Sequence, residues 1–299
     1  MYGAQPWGTN PVLVVILPLL AVAATAGLLT AAVVARWPAH DPAAPRLRDD
    51  SPVLQHRDGR KEQLRALWRA RLDPGVATGL ALTLALSALV VFTAVAGILL
   101  LMVRTKTGIA RYDLGLAEWG AMEATPGSTA VLRRLSQLGG TAGVLLVATV
   151  VGVIEYRRLP RRALPAFIAL AVLGQFAVTN VVKAIVERAR PDIEQLTGFA
   201  GFSFPSGHSA AAATTFAVVA LLVGRRRGRW VRAGLVGSAV TIATIVAGTR
   251  ILLGVHCLTD VLAGLALGWA WFALCSLAFG GRVLDFGAPG KVADAGARR

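Results

Sequence analysis

Long apolar runs separated by short polar segments make up most of the chain. Seven runs stand out, at residues 11–35, 76–103, 139–154, 163–182, 209–224, 233–248 and 261–279. Runs of this kind are typical of helices that cross a bilayer, because a helix satisfies its own backbone polar groups in the hydrocarbon core. The pattern predicts an all-α fold, a polytopic transmembrane helical bundle with seven spans.

The first run sets the expected domain organisation. Residues 1–36 are expected to form an N-terminal transmembrane anchor. A signal peptide is the alternative, but no basic residue precedes the run and its apolar part is long for such a signal. The other six spans fall within residues 75–281, and residues 282–299 are expected to form a C-terminal tail.

Two polar stretches have patterns of their own. The basic linker at 37–74 contains apolar residues at helical spacing among arginines, namely Leu64, Leu67, Trp68 and Leu72. This predicts an amphipathic helix, lying either on an anionic membrane surface or against the protein. The mixed stretch at 104–137 predicts one or two short interfacial helices, one of them capped by Ser128.

Charge and cysteine content narrow the function classes. The 299 residues include 31 Lys and Arg against 16 Asp and Glu, a net charge of +15. Such an excess can indicate nucleic-acid binding, but basic cytoplasmic loops of a membrane protein produce the same charge, so no nucleic-acid partner is expected. The two cysteines form no disulfide framework and no metal-ligand spacing. We expect neither a metal ion nor another cofactor.

The distribution of basic residues also predicts a topology. The densest basic loops, 157–162 and 225–232, belong in the cytoplasm by the positive-inside rule, as does the linker. With seven spans, the N-terminus of this plasma-membrane protein is then outside and the C-terminus cytoplasmic. Three polar clusters, at 183–191, 205–208 and 249–260, are all placed on the extracytoplasmic side.

These clusters contain the residue types of an oxyanion site. Lys183, Arg190 and Arg250 would bring three cations to one face of the membrane. Ser206 and Gly207 open a helix, whose N–H groups and dipole favour an anion. Together they predict a site for a phosphate-sized anion.

The same clusters supply groups for phosphoryl transfer. His256 and Asp260 are four residues apart, so on a helix the carboxylate would orient one imidazole nitrogen and leave the other free to attack. His208 would lie beside the same anion, suited to protonate a leaving oxygen. Attack by one histidine and release by another needs no metal.

The three clusters resemble the signature of the type 2 phosphatidic acid phosphatase superfamily, K-x6-R-P, P-S-G-H and S-R-x5-H-x3-D. The matching residues are Lys183, Arg190, Pro191, Pro205, Ser206, Gly207, His208, Arg250, His256 and Asp260. The one departure is Thr249, where the family usually has Ser and where the hydroxyl is kept. The resemblance implies a six-helix phosphatase core within 75–281, to which the first span is an addition.

The resemblance also implies roles. His256 would be the nucleophile that becomes a phosphohistidine, with Asp260 holding it and His208 as general acid. The phosphoryl oxygens would be bound by Lys183, Arg190, Ser206, Gly207 and Arg250.

Several neighbouring residues remain open at this stage. Glu187 is expected to pair with a neighbouring arginine, and Arg188 to bind lipid headgroups. Cys257 is expected to be a packing residue. Phe202 and Phe204 could contact a lipid chain or simply pack a loop.

The resulting hypothesis is an integral-membrane lipid phosphatase with its site outside. Polyprenyl diphosphate is the first candidate substrate, followed by phosphatidic acid, diacylglycerol pyrophosphate and phosphatidylglycerol phosphate. One alternative is phosphotransfer from a lipid to another acceptor through the same site. A second is a transporter or lipid-binding protein that only holds an anion. Membrane lipids are the other expected partners, and the oligomeric state stays open.

Overall fold

The fold is described from a computed structural model, in which residues 11–36, 77–158, 160, 162–225 and 227–283 are described. All regular secondary structure within these ranges is helical, as predicted. The amphipathic helix expected in the linker, and all but the first two residues of the expected tail, lie outside the described residues.

The described helices follow the apolar runs closely. In chain order they are α1 (Pro11–Arg36), α2 (Ala77–Thr105), α3 (Asp113–Met122), α4 (Pro126–Ser136), α5 (Thr141–Arg158), α6 (Ala163–Val186), α7 (Gly207–Gly224), α8 (Arg229–Leu252) and α9 (Leu258–Val283). Short 3₁₀ turns at Gly108–Tyr112 and Gln137–Gly139 precede α3 and follow α4.

Six of these helices are long and apolar enough to cross a membrane: α1, α2, α6, α7, α8 and α9. The third predicted span differs from expectation. Helix α5 does not qualify alone, because its last turn carries Glu155, Arg157 and Arg158. It reaches the required apolar length only together with α4, from which it is bent by 50°.

The short helix α4 begins one turn earlier than Ser128 would imply. Thr125 is the N-cap, and its hydroxyl accepts from the N–H of Ser128 at 3.1 Å. The Ser128 hydroxyl accepts from the N–H of Thr125 in return, at 2.9 Å. Ser128 is therefore the partner in a capping box and not the cap itself.

Helix α1 packs tightly on the bundle. A Cβ atom at Gly27 would lie 2.6 Å from the carbonyl oxygen of Gly237, and one at Gly237 would lie 2.7 Å from the carbonyl oxygen of Gly27. The two backbones approach this closely only because both positions lack a side chain. Val15 and Leu19 of α1 also belong to a buried cluster with Leu252 at the end of α8.

Helix α7 forms the centre of the bundle, with most of its side chains buried against α6, α8 and α9. Helix α9 approaches it through Gly264 and Gly268, where added Cβ atoms would lie 2.5 Å and 2.4 Å from the carbonyls of Ser206 and Ala210. The Gly264–Gly268 pair therefore allows close packing of two helices within the chain.

The bundle brings four helix ends together, and we call this region the site end. They are the C-termini of α6 and α8 and the N-termini of α7 and α9. The turn between α8 and α9 contains Gly254 at φ +73°, with its Cβ position 2.6 Å from the carbonyl of Glu194. A side chain would be strained and crowded there, so glycine is required for this turn.

Candidate active site

The site end collects all eight candidate site residues. Lys183 and Arg250 lie in the last turns of α6 and α8. Ser206 is the N-cap of α7, which begins with Gly207 and His208. Arg190 lies in the loop after α6, His256 in the α8–α9 turn, and Asp260 in the first turn of α9.

His256 and Asp260 meet, although they do not share a helix as expected. Helix α9 begins only at Leu258, so the preceding turn carries His256 and the helix carries Asp260. The Nδ1 atom of His256 lies 3.6 Å from Oδ2 of Asp260, and the two residues are 2% and 0% exposed. The N–H of Cys257 donates to the same Oδ2 at 2.9 Å, which fixes the carboxylate against the start of the helix.

Ser203 is a site residue that the sequence did not indicate. Its hydroxyl donates to Oδ2 of Asp260 at 2.5 Å and lies 3.4 Å from Nδ1 of His256. The side chain is fully buried. Ser203 lies just before the Pro205–His208 cluster, and nothing in its spacing distinguishes it from an ordinary loop serine.

Arg188 pairs inside the protein. Its Nη1 donates to Oδ1 of Asp260 at 2.6 Å and its Nη2 donates to Oδ2 of Asp113 at 2.8 Å. Burial lowers the pKa of Arg188, but the two carboxylates outweigh it and raise the pKa above its ordinary value. Because these contacts occupy both ends of the guanidinium, the lipid-headgroup interpretation of Arg188 is not supported.

Asp113 is the second residue that sequence reasoning missed as a site residue. It is the first residue of α3 and is 2% exposed. Besides Arg188, it accepts from Thr259, with 2.9 Å from the N–H to Oδ1 and 2.6 Å from the hydroxyl to Oδ2. By contrast, Glu187 is exposed and left-handed at φ +51°, and it forms no ion pair with another described residue.

Arg190 is surrounded by backbone carbonyls. It donates to those of Val255 at 2.7 Å, Ala200 at 2.9 Å and Gly201 at 3.0 Å. Its Nη1 lies 3.4 Å from Nε2 of His256, and its guanidinium stacks 4.6 Å from the ring centre of Phe199. Within the described residues, no carboxylate neutralises this cation, although its position is firmly fixed.

Lys183 and Arg250 also donate hydrogen bonds to neutral oxygens. Lys183 Nζ donates to the carbonyl of Phe202 at 2.8 Å, an oxygen that Arg190 also contacts at 3.4 Å. Arg250 is 4% exposed and its Nη1 donates to the hydroxyl of Ser136 at 2.8 Å. Its buried Nε has no hydrogen-bond partner among the described residues, which is costly unless an anion is bound there.

The start of α7 only partly matches the expected anion site. The N–H of Ser206 already donates to the carbonyl of Asp260 at 2.9 Å. The Ser206 hydroxyl accepts from that of Ser209 at 2.9 Å. The first N–H groups of α7 without a described acceptor are therefore those of Gly207 and His208, as is usual for a helix start.

His208 lies at this helix start, half-buried, and its ring forms no hydrogen bond to a described residue. Electrostatic interactions connect it with Arg250, His256, Lys183 and Arg190. The two histidines thus lie near one group of cations, His208 at the start of α7 and His256 in the α8–α9 turn.

Burial controls ionisation in the α8–α9 turn. The pKa of His256 is lowered from 6.5 to about 4, mainly by burial; Asp260 opposes this shift, whereas Arg190 and Arg250 add to it. The imidazole is therefore neutral near pH 7. Burial also raises the pKa of the Cys257 thiol to about 12, which agrees with a packing role. In the part of the chain that is described, no group of three or more His, Cys, Asp or Glu side chains could hold a metal ion.

The fold and site define a helical membrane protein with a largely buried cluster of cations and two histidines at one end of the bundle. Comparison with known proteins agrees with this class. The model of the PAP2 superfamily matches residues 164–283. Phosphatidylglycerophosphatase B of Bacillus subtilis (strain 168) is 30% identical over 171 residues, covering 54% of this chain and 80% of that protein.

Two further relatives are phosphatases. Decaprenylphosphoryl-5-phosphoribose phosphatase of Mycobacterium tuberculosis is 34% identical over 174 residues, covering 56% of this chain and 89% of that protein. Lipid A 1-phosphatase of Rhizobium etli is 34% identical over 119 residues, covering 36% and 47%. The chain belongs to the PAP2 superfamily, and it is a multi-pass membrane phosphatase.

The fold has a solved counterpart. The crystal structure of a transmembrane PAP2-type phosphatidylglycerolphosphate phosphatase from Bacillus subtilis matches with a TM-score of 0.56 and 24% sequence identity. The match covers 67% of this chain and 96% of that one. It supports the helical architecture described above.

Proposed function

We propose that this protein hydrolyses the terminal phosphate of a lipid phosphate or diphosphate through a phosphohistidine on His256. The observation that carries the proposal is the surroundings of that imidazole. It is buried and neutral near pH 7, and its Nε2 lies 3.4 Å from a guanidinium that no described carboxylate neutralises. A nucleophile beside unneutralised cations fits attack on an anionic phosphoryl group.

In the first step, Nε2 of His256 forms a bond to phosphorus while the bond from phosphorus to the leaving oxygen breaks. Arg190, Lys183 and Arg250, with the N–H of Gly207, stabilise the charge on the phosphoryl oxygens. Asp260 stabilises the imidazolium that forms, and His208 gives a proton to the leaving oxygen.

In the second step, water attacks the phosphorus of the phosphohistidine and the N–P bond breaks. His208, now lacking its proton, accepts one from that water. Inorganic phosphate leaves, and His256 returns to its neutral form. The 3.6 Å separation of Nδ1 and Oδ2 is long for a hydrogen bond, and we expect it to shorten as positive charge forms on the ring.

A lipid is the substrate class that the surroundings favour. Phe199 and Phe202 are 52% and 40% exposed beside Arg190 and Lys183, and Ile185 of α6 is 69% exposed. An apolar rim next to a phosphate site suits a lipid chain and its headgroup. The phosphatase relatives are named for chemically different lipids, so the lipid phosphate end is the shared feature. Polyprenyl diphosphate, phosphatidic acid, diacylglycerol pyrophosphate and phosphatidylglycerol phosphate are the candidates.

The site is proposed to face away from the cytoplasm, because the described basic residues of the two loops lie at the other end of the bundle, namely Arg157, Arg158, Arg162, Arg225, Arg227, Arg229 and Arg232. Gly198 and Gly228 are exposed at the site end and in one of these loops. In intact cells, a membrane-impermeant maleimide should label a Gly198→Cys protein and leave a Gly228→Cys protein unlabelled. The reverse pattern would contradict this orientation.

The proposed activity can be tested with purified protein and a panel of the four lipid phosphates in detergent. Wild-type protein should release inorganic phosphate, whereas His256→Ala and His208→Ala proteins should not. Quenching the wild-type reaction on a ³²P-labelled substrate should trap acid-labile label on the protein, absent in His256→Ala. Full activity of His256→Ala would exclude the phosphohistidine, and label appearing on an added alcohol acceptor would indicate phosphotransfer.

A further inference from the structure

Asp113 lies far from the signature clusters in sequence, yet it contacts their ionic network. It is 75 residues before Arg188 and 146 before Thr259, and it precedes the part of the chain that matches the family model. Its helix α3 is short, with exposed Leu114 and Leu116 on its surface. The Asp113 carboxylate is only 2% exposed. Burying it destabilises the fold unless hydrogen-bonding partners compensate for the lost hydration.

The partners of Asp113 leave little of its carboxylate unused. Oδ1 accepts from the N–H of Thr259, and Oδ2 accepts from the Thr259 hydroxyl and from Arg188. Thr259 is the second residue of α9 and immediately precedes Asp260. Asp113 therefore holds the start of the helix that carries Asp260, and also the arginine bound to Asp260.

Arg188 joins the two acids through opposite ends of one rigid group. Nη2 binds Asp113 at 2.8 Å and Nη1 binds Asp260 at 2.6 Å. The planar guanidinium fixes the distance and relative orientation of the two carboxylates, which a flexible ammonium would not do. Oδ1 of Asp260 is thereby occupied, and Oδ2 is left on the side of Ser203 and His256.

The charges of this group also matter for His256. Asp113, Arg188 and Asp260 together carry one net negative charge. Without the Asp113 carboxylate, the positive charge of Arg188 would cancel that of Asp260. The other charged or titratable groups that act on the imidazole are Arg190 of the loop, Arg250 of α8 and His208 of α7. Cys257 is its neighbour in the chain, and Lys183 of α6 acts on His208. The two arginines oppose a positive charge on the His256 imidazole. The net negative charge of the Asp113–Arg188–Asp260 group is therefore what favours the imidazolium.

We infer that Asp113 is a positioning residue, which acts through Arg188 to hold Asp260 and to keep a net negative charge beside His256. This role rests on the proposed function of His256 and extends the site to a helix outside the signature. Asp113 itself does not touch the phosphate site.

The test compares kcat, KM and the pH profile of Asp113→Asn with those of wild type on one lipid phosphate. Glu118→Gln is the matched control, because Glu118 is an exposed acid on the same helix. We expect Asp113→Asn to lower kcat about tenfold or more, as loss of an outer partner of a reacting group commonly does. KM should stay near the wild-type value.

The pH profile separates this role from a structural one. With less negative charge nearby, the imidazolium of His256 is less stable, so the acid limb of kcat/KM should move to lower pH in Asp113→Asn. Asp113→Glu restores the charge and should move the limb back towards wild type, even if kcat recovers only in part. The substrate titrates identically in all these measurements, so the differences belong to the enzyme.

Either of two results would overturn the inference about Asp113. If Asp113→Asn lowers thermal stability but leaves kcat and the acid limb of the kcat/KM profile at their wild-type values, the Asp113 carboxylate has only a structural role. If Asp113→Asn cannot be isolated folded, Arg188→Lys takes its place, and wild-type kcat in that variant would equally overturn the inference. Activity retained by His256→Ala would instead contradict the proposed function, whereas an inactive His256→Ala with a normal Asp113→Asn would remove only the role of Asp113.

Discussion

Both ends of the bundle bury charged groups, but they balance these charges in opposite ways. At the end away from the site, Glu155 is 4% exposed and accepts from Arg158 at 2.9 Å and from Arg225 at 3.0 Å. Helices α5 and the end of α7 are joined there by a carboxylate between two guanidinium groups. The ionic contacts are made within the protein.

At the site end, Lys183, Arg190 and Arg250 form no ion pair with any described carboxylate and instead donate to neutral oxygens. Arg188 is the exception and bridges two acids. Neutral oxygens fix the direction of a cation without cancelling its charge. Buried arginine is therefore common to both ends, and among the described residues only the site end leaves cations without a carboxylate, which is the arrangement expected of an anion site.

The largest expected effect comes from removing the proposed nucleophile. His256→Ala should reduce kcat by at least ~1,000-fold, because no other described group occupies its position beside Arg190. Phosphate release from a lipid phosphate measures it. Cys275→Ala, a buried change in α9 away from the site, is the control and should keep wild-type kcat.

Loss of one unneutralised cation should come next. Arg250→Ala removes a buried donor whose Nε has no described partner, and we expect kcat/KM to fall about 100-fold. Arg250→Lys should recover part of the loss, since it keeps the charge but not the planar donor geometry. Steady-state kinetics on one lipid phosphate check this, and an unchanged kcat/KM in Arg250→Ala would remove Arg250 from the anion site.

The pH dependence should reflect the burial of His256. Its folded-state pKa of about 4 lies below the ordinary 6.5, so a proton binds more readily after unfolding. The contribution of His256 to stability is therefore complete above pH 6.5 and is lost as the pH falls towards 4. Thermal melting between these values should show the decrease, and His256→Asn should flatten it. The acid limb of kcat/KM should likewise lie below pH 6.5.

A substitution at the end of the bundle away from the site should lower the stability of the protein and leave its catalytic constants unchanged. Glu155→Gln removes the carboxylate that buried Arg225 and exposed Arg158 both contact, and losing the buried contact should cost about 3 kcal/mol of stability. Thermal inactivation should be faster, whereas kcat and KM of the folded protein should be unchanged. A lowered kcat at full stability would show that the two ends are coupled.

The smallest effect on activity is expected where α1 meets α8. Gly27→Ala would place a Cβ atom 2.6 Å from the backbone oxygen of Gly237, and overpacking of this kind costs about 1–3 kcal/mol. We expect a lower melting temperature with wild-type kcat. Gly97→Ala, where nothing lies within 4 Å of the added Cβ, is the control. An inactive Gly27→Ala protein would give α1 a role in the site.

Features carried by local sequence were predictable. The lengths of the apolar runs predicted the long helices. The spacing within the polar clusters identified His256, Asp260 and the three cations at 183, 190 and 250 as candidate site residues. The third span was wrong in detail, because a bend joins two short helices where the pattern suggested one. A window of hydrophobicity cannot distinguish a bent pair from a straight helix.

Contacts between distant positions were not predictable. Ser203, Thr259 and Asp113 have no motif, and their importance arises from tertiary contacts across up to 146 residues. Arg188 was visible inside a cluster, but its pairing depended on where α3 packs. Even the His256–Asp260 contact is made across a turn and not along a helix, so correct spacing led to the right pair for a partly wrong reason.

The hydrogen bond from Ser206 to the Asp260 carbonyl has a consequence for motion. It ties the start of α7 to the start of α9, and Gly264 brings the same two helices within backbone contact. His208 lies on α7, which is hydrogen-bonded to α9, and His256 lies in the turn just before α9. We therefore expect the two imidazole rings to keep their relative position during local fluctuations. Hydrogen exchange should therefore be slower at both helix starts than in the exposed stretch at 198–202.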